Sequence, residues 1–254
     1  MKTAHPLLPF WDDRLPDARA TMFCLPHAGG GASAYREWVR ASPTLDVQPV
    51  QLPGREQLIG RPGIDRMPEL ASLVGEMIAD MAPRPFVLFG HSMGGAIAAE
   101  VTAWLEHGGY PPPALLVVSA RPPVNQARPE PGESEDEWLV RRVLAMGGTP
   151  AGLLEDPEMR ELFLGAIRTD MRLLRDYAPA FGRLSVPLLA LGGTEDDVTE
   201  SRLAAWQDHF TAPIRVRMFS GGHFYLRQHR EDVLAAVQDS LTESLAGRKT
   251  VHGT

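Results

Sequence analysis

The chain has 254 residues, 44% of them apolar, and a formal net charge of −7; the length suits one large α/β domain or two small ones with a substantial core, and the alternation of strand-like and helix-like stretches favours one. No block of Lys and Arg is present, which argues against nucleic acid as a partner, because phosphate binding needs a concentrated basic face. Cys24 is the single cysteine and cannot form an internal disulfide; the Pro-broken stretch Met1 to Trp11 is no signal peptide and no run is long enough to span a bilayer, so a soluble, cytoplasmic protein without membrane contact is expected.

Residues 1 to 19 read as an irregular, Pro-rich lead-in to a first strand, Thr21 to Leu25. The run Pro26-His27-Ala28-Gly29-Gly30-Gly31-Ala32-Ser33 follows, and Tyr35, Trp38 and Val39 then recur at helical spacing. A glycine loop between strand and helix has two functional readings. Gly29, Gly31 and Ala34 fit the GxGxxA form of a dinucleotide fingerprint. Against a cofactor, Pro26 and His27 separate the strand from the first glycine, and the second strand, Asp46 to Leu52, ends without the acidic residue that would bind a ribose. The other reading is an oxyanion loop, in which a small residue offers its backbone N–H to a developing negative charge, and Ala28 is the candidate donor. His27, beside it, is expected to be structural.

Pro53-Gly54-Arg55-Glu56 closes the second strand in a turn, and Leu70, Leu73, Val74, Met77, Ile78 and Met81 mark an amphipathic helix whose methionines belong to the core. The most informative stretch comes next. Phe86 to Phe89 is a buried strand, Ala96 to Leu105 a helix, and between them Gly90, Ser92 and Gly94 make GxSxG. At a strand-to-helix turn this pattern is a nucleophile elbow: the serine is held in strained backbone, so its neighbours must be small, and the free amides of the helix start, Met93 first, face the reacting oxygen. His107-Gly108-Gly109 ends the helix, and Ala114 to Ser119 reads as the next strand.

From 121 to about 180 the alternation of strand and helix breaks. An acidic, Pro-rich stretch leads into helical pieces at Trp138 to Met146, Pro157 to Arg168 and Thr169 to Tyr177. A helical insertion at this point of an α/β sheet is where a lid over the site would lie, within what is otherwise a single domain over residues 1–254. Val186 to Leu191 then resumes the sheet. It runs into Gly192-Gly193-Thr194-Glu195-Asp196-Asp197, and acids at the carboxyl end of a strand share the edge of Ser92. Spacing alone does not separate Asp196 from Asp197. A helix around Ser201 to Phe210 and an alternating edge strand, Ile214 to Phe219, precede Ser220-Gly221-Gly222-His223. Of the histidines on that edge, His223 alone follows both the serine and the acid, the order Ser, Asp, His of the α/β-hydrolase fold. A helix from Glu231 to Leu245 closes the chain. No HExxH and no Cys/His cluster is present, so neither a metal nor a cofactor is expected.

Together, Phe23 to Gly30, the pair Tyr35 and Trp38, Leu52-Pro53-Gly54-Arg55, Phe89 to Gly95, Met146 to Pro150, Gly192 to Asp196 and Gly221 to Phe224 resemble the type II thioesterases, the stand-alone editing hydrolases of polyketide and nonribosomal peptide assembly lines. The resemblance runs from about Thr21 to Leu226. It implies an α/β-hydrolase fold, a triad of Ser92, Asp196 and His223, and hydrolysis of stalled acyl groups from the phosphopantetheine arm of an acyl or peptidyl carrier protein. The 121 to 180 segment would be the lid, and a monomer is expected. Asp197 departs from the proline common among relatives. Carrier proteins are usually acidic, so docking calls for local basic groups, with Arg121, Arg128, Arg141 and Arg142 as candidates. The alternatives are a general carboxylesterase or acyltransferase with the same triad, and a non-catalytic binding protein on the same fold.

Overall fold

The structure is a computed structural model that describes residues 5–83, 85–124, 131–146, 157–175 and 177–251. Among them, β1 (Ala20–Leu25), β2 (Leu45–Pro49), β3 (Phe86–His91), β4 (Leu115–Ser119), β5 (Leu188–Gly193) and β6 (Arg215–Phe219) pair into one sheet. Every pairing is parallel, in the order β2-β1-β3-β4-β5-β6. Parallel neighbours need crossovers, and the crossovers cover both faces of the sheet, so β1 to β5 are buried along their whole length. β6 lies at an edge and alternates exposed and half-buried residues over Arg215 to Met218, as its sequence predicts.

The two-residue period of a strand sorts the core into two layers. Phe23, Leu25 and Leu88 point to the face covered by α1 (Met67–Met81) and α2 (Met93–His107). Met22, Cys24, Val87 and Phe89 point to the other, against Tyr35, Trp38 and the final helix α6 (Arg230–Val251). Each such large side chain taken out of water contributes about 1.5–3 kcal/mol.

Several elements differ from the sequence reading. The lead-in is part of the core: Leu7, Leu8 and Trp11 are buried, and the Leu7 carbonyl accepts a hydrogen bond from the Gln51 amide at 2.8 Å. The Tyr35 to Trp38 stretch is a 3-10 helix over Ala32–Trp38, not an α-helix. β2 stops at Pro49. The helix around Ser201 is a short α5 (Glu200–Ala204) continued by a 3-10 turn. Between β4 and β5 lie α3 (Glu135–Met146) and α4 (Pro157–Leu174). The pieces on either side of Arg168 are one helix, because nothing there breaks it; the Thr169 hydroxyl donates to the Gly165 carbonyl at 3.2 Å. Trp138, Leu139 and Ile167 form a small core of their own between these helices, whereas Leu173 and Leu174 enter the main core. The Gly147 to Pro150 motif and Arg128 lie outside the described residues.

Candidate active site

The sheet order reverses at β1, whose neighbours β2 and β3 lead the chain in opposite directions, and ligands of open parallel sheets bind at such a point, beyond the carboxyl ends of the strands. The end of β1 delivers the Pro26 to Ser33 loop there, and the end of β3 delivers Ser92. Ser92 has φ 54° and ψ −115°, a left-handed conformation that costs a non-glycine residue on the order of 1–3 kcal/mol. Backbone hydrogen bonds hold it there, from its own amide to the Ser119 carbonyl at 2.8 Å and from the Gly95 amide to its carbonyl at 3.0 Å. Its neighbours are small for steric reasons. A Cβ on Gly90 would fall on the Gly94 carbonyl, and one on Gly94 would lie 2.6 Å from the carbonyl carbon of Leu25 and 2.8 Å from the Pro26 oxygen. Gly94 therefore lets the elbow and the β1 loop touch.

Met93 opens α2, so its amide precedes the first intrahelical acceptor and is free for an outside one. In the β1 loop, by contrast, most amides are engaged. Gly29 donates to Asp170 Oδ2 at 2.7 Å, Gly30 to the His27 carbonyl at 3.0 Å, Ala32 to Gln51 Oε1 at 3.2 Å and Ser33 to Glu56 Oε2 at 3.3 Å. The Ala28 amide has no acceptor among the described residues.

Asp196 and His223 come together across the ends of β5 and β6. The His223 Nδ1 lies 2.8 Å from Asp196 Oδ2, with side chains only 8% and 7% exposed. A carboxylate accepts, so Nδ1 carries a proton, and in the neutral ring the lone pair is then on Nε2. The two loops are stitched together by the Thr194 amide on the Phe219 carbonyl at 2.8 Å and the Glu195 amide on the Gly221 carbonyl at 2.9 Å. A Cβ on Gly193 would collide with the carbonyl oxygens of Gly221 and Gly222, which is why glycine ends β5. Asp197 is exposed; its carbonyl accepts from Arg202 Nη1 at 3.0 Å. Among the described residues the buried His223 Nε2 has no hydrogen-bond partner, so the Ser92 hydroxyl is not engaged with it in this structure.

Aromatic rings surround the imidazole. His91, the residue before Ser92, lies 5.1 Å from the His223 ring, and Phe224 lies 4.9 Å from His27 and 5.3 Å from His91, centroid to centroid. Burial, followed by the charges of Arg227, His223 and Arg55, pushes His27 down to about 4. Burial likewise holds His91 well below the usual imidazole range, with His223 the next cause. Both rings are neutral at pH 7, and the Gly30 position leaves room for that of His27, as a structural role requires. His91 Nδ1 shares a hydrogen bond with Ser119 Oγ at 2.8 Å, and Ser119 Oγ with the Tyr225 hydroxyl at 2.6 Å. A cleft of about 400 Å³ opens beside these rings, lined by His27, Tyr35, His91, Phe224 and Arg227 among others.

One feature escaped the sequence reading. Asp170, on α4, pairs with Arg55 in a buried fork; its place between Ile167 and Leu174 on the apolar face of a helix is the signal that could have exposed it. Arg121, expected as a docking group, is corrected by the structure. Only 6% exposed, it stacks over the Tyr177 ring at 5.3 Å, and burial brings it down to about 10. It is an interior residue and offers a partner no surface. Arg141 is paired with Glu133 at 2.8 Å, and Arg142 is half-buried. Among the described residues no group of His, Cys, Asp and Glu could hold a metal ion. No helix among them is long and apolar enough to cross a membrane.

An all-parallel sheet whose third strand turns into a helix through a strained serine is the architecture of an α/β-hydrolase. Within that class, comparison with known proteins narrows the identity. The thioesterase domain family matches over residues 20–241, and the chain belongs to it, as a thioester hydrolase of the type II group. It is 37% identical over 224 residues to a probable cadicidin biosynthesis thioesterase of Streptomyces griseus, covering 87% of this chain and 62% of that relative's length. Among solved structures, the type II thioesterase BorB from the borrelidin biosynthetic cluster superposes with a TM-score of 0.76 at 35% identity, covering 89% of this chain and 94% of that one. YbtT, a type II thioesterase from the yersiniabactin NRPS/PKS biosynthetic pathway, does so with a TM-score of 0.79 at 26% identity, covering 91% and 96%.

Proposed function

We propose that this thioesterase removes aberrant or stalled acyl groups from the phosphopantetheine arm of a carrier protein in polyketide or nonribosomal peptide biosynthesis. In this reading Ser92 is the nucleophile, His223 the base and Asp196 the group that orients it, with the amides of Ala28 and Met93 as oxyanion donors. His223 Nε2 takes the Ser92 proton as the oxygen attacks the thioester carbonyl, and the carbonyl oxygen gains its charge between the two amides. The C–S bond then breaks, His223 returns the proton to the pantetheine thiolate, and an acyl-serine remains. Water, deprotonated by the same Nε2, attacks the acyl-serine and releases the acid, restoring Ser92. Closure of the hydroxyl onto Nε2 belongs to the substrate complex, since such bonds are often long or unmade in the free enzyme.

The observation that carries the reading is the buried Asp196–His223 hydrogen bond on the sheet edge where the strained Ser92 stands. The insertion holding α3 and α4, within residues 121–180, acts as the lid, and the protein works as a cytoplasmic monomer. The named pathways of BorB, YbtT and the cadicidin relative support the carrier-bound substrate. The test is Ser92→Ala assayed on an acyl-carrier protein, the matching acyl-CoA and a simple ester. Turnover is expected to fall by about four orders of magnitude, and the wild type is expected to prefer the carrier. Undiminished turnover in the variant refutes the nucleophile, and indifference to the carrier favours a general esterase.

A further inference from the structure

We propose that Arg55 and Asp170 act as a positioning pair that holds the Ala28 amide in its oxyanion-binding orientation and ties that orientation to the seating of α4. This rests on the reading of Ala28 as an oxyanion donor. Arg55 Nη1 donates to Asp170 Oδ2 at 2.7 Å and Nη2 to Oδ1 at 2.6 Å, a bidentate fork with side chains 8% and 2% exposed. Neither charge is spent on its partner alone. Asp170 Oδ2 also accepts the Gly29 amide at 2.7 Å, and Arg55 Nη1 also donates to the Gly30 carbonyl at 3.1 Å.

The link from there to the donor is covalent geometry. The Gly30 amide donates to the His27 carbonyl at 3.0 Å. That carbonyl belongs to the same planar peptide unit as the Ala28 N–H, and in a trans peptide the two point in opposite directions, so fixing one aims the other. The ion pair thus grips the peptide units on the far side of Ala28 while Gly30 secures the one that carries its N–H. Glu56, the residue after Arg55, adds a second grip through Ser33, accepting from its hydroxyl at 2.5 Å and its amide.

Asp170 reaches this loop from α4, whose last residues, Leu173 and Leu174, are packed in the main core. A buried ion pair is a poor way to gain stability, since desolvating the two charges offsets most of their attraction and well-packed apolar residues often do as well or better. Here the pair supplies direction: two hydrogen bonds hold it together and two more place it on the glycine loop, at Gly29 and Gly30. Seating the return helix of the insertion and setting the oxyanion loop are therefore one event.

The experiment uses the full chain with Asp170→Asn and with the double variant Arg55→Met/Asp170→Leu, which removes both charges without stranding one. Both are expected to lower kcat on an acyl-carrier thioester about 10- to 100-fold with KM within about threefold, the range for a misaimed oxyanion donor. Affinity for a trifluoromethyl ketone mimic of the thioester should fall by the same factor, while affinity for a non-hydrolysable amide analogue stays. A purely structural pair would lower Tm and leave kcat per folded molecule unchanged, and that result overturns the proposal. So does a loss carried by KM alone, or a double variant that cannot fold. Ser92→Ala run in parallel separates the two readings: if it is inactive while the double variant turns over like wild type, the positioning role alone fails, and if it stays active the triad reading fails with it.

Discussion

Gly94→Ala tests whether the contact between the elbow and the β1 loop builds the oxyanion site. The added methyl would lie 2.6 Å from the Leu25 carbonyl carbon, nearer still to its oxygen, and 2.8 Å from the Pro26 oxygen. All these atoms are backbone, so no side chain can rotate out of the way. Relief requires the start of α2 and the end of β1 to part by roughly 1 Å, a displacement that can cost about 100-fold in rate. Because Met93 moves with α2 and Ala28 with the β1 loop, the separation falls between the two donors, and losing one such donor is worth about 100- to 1000-fold in kcat. Overpacking of this kind costs about 1–3 kcal/mol of stability, so the variant is expected to fold. The measurements are kcat and KM on an acyl-carrier thioester, with a urea titration of the same preparation. A stable Gly94→Ala enzyme with wild-type kcat would show that the two amides need not be held at this spacing, and the assignment of Ala28 and Met93 would go.

Further expectations follow from the same geometry. Asp196→Asn should lower kcat by about four orders of magnitude, because the amide can present the wrong atom to His223 Nδ1, whereas exposed Asp197→Asn should stay within a fewfold of wild type; steady-state kinetics on both variants decide it, and the reverse ranking moves the acid by one residue. Acidification should destabilise the fold. His27 and His91 have folded values below the ordinary imidazole value, so the unfolded chain binds more protons as pH falls from about 6.5, and stability present above that value is lost towards pH 4. For His27 the loss is at most about 3 kcal/mol, less for the part of the ring that water reaches. His27→Gln should flatten this acid limb in urea titrations at pH 7.5 and 4.5, and equal losses in variant and wild type would show that protonation of the His27 ring does not drive it.

Much of this protein was legible in the chain because its signals are local. The strand before Ser92, the glycines around it and the helix after it form one continuous stretch of about twenty residues, so periodicity and steric need identify the elbow without knowledge of the rest. The glycine loops at 192–193 and 221–222 were legible for the same reason, although only their partnership in space explains them: Gly193 is glycine because the carbonyls of Gly221 and Gly222 pass over it. Amphipathic helices such as α1 also declared themselves. The lead-in did not, because Leu7, Leu8 and Trp11 are scattered among prolines in no repeating pattern, and their burial depends on a surface assembled from distant elements.

The sequence by itself determined the order of elements, the strained turn at Ser92 and the edge of the sheet on which the serine, an acid and His223 would stand, since all of these follow from short-range pattern and chain order. Between Asp196 and Asp197 spacing was silent and only the family resemblance pointed to Asp196; the tertiary structure pairs His223 with it and leaves Asp197 exposed, because the β5 and β6 loops are locked together by backbone hydrogen bonds. It also decided that Arg121 is interior and that Asp170, 115 positions from Arg55, closes a fork beneath the β1 loop. Contacts across such distances depend on how helices seat on the sheet, and no local stretch of residues encodes that.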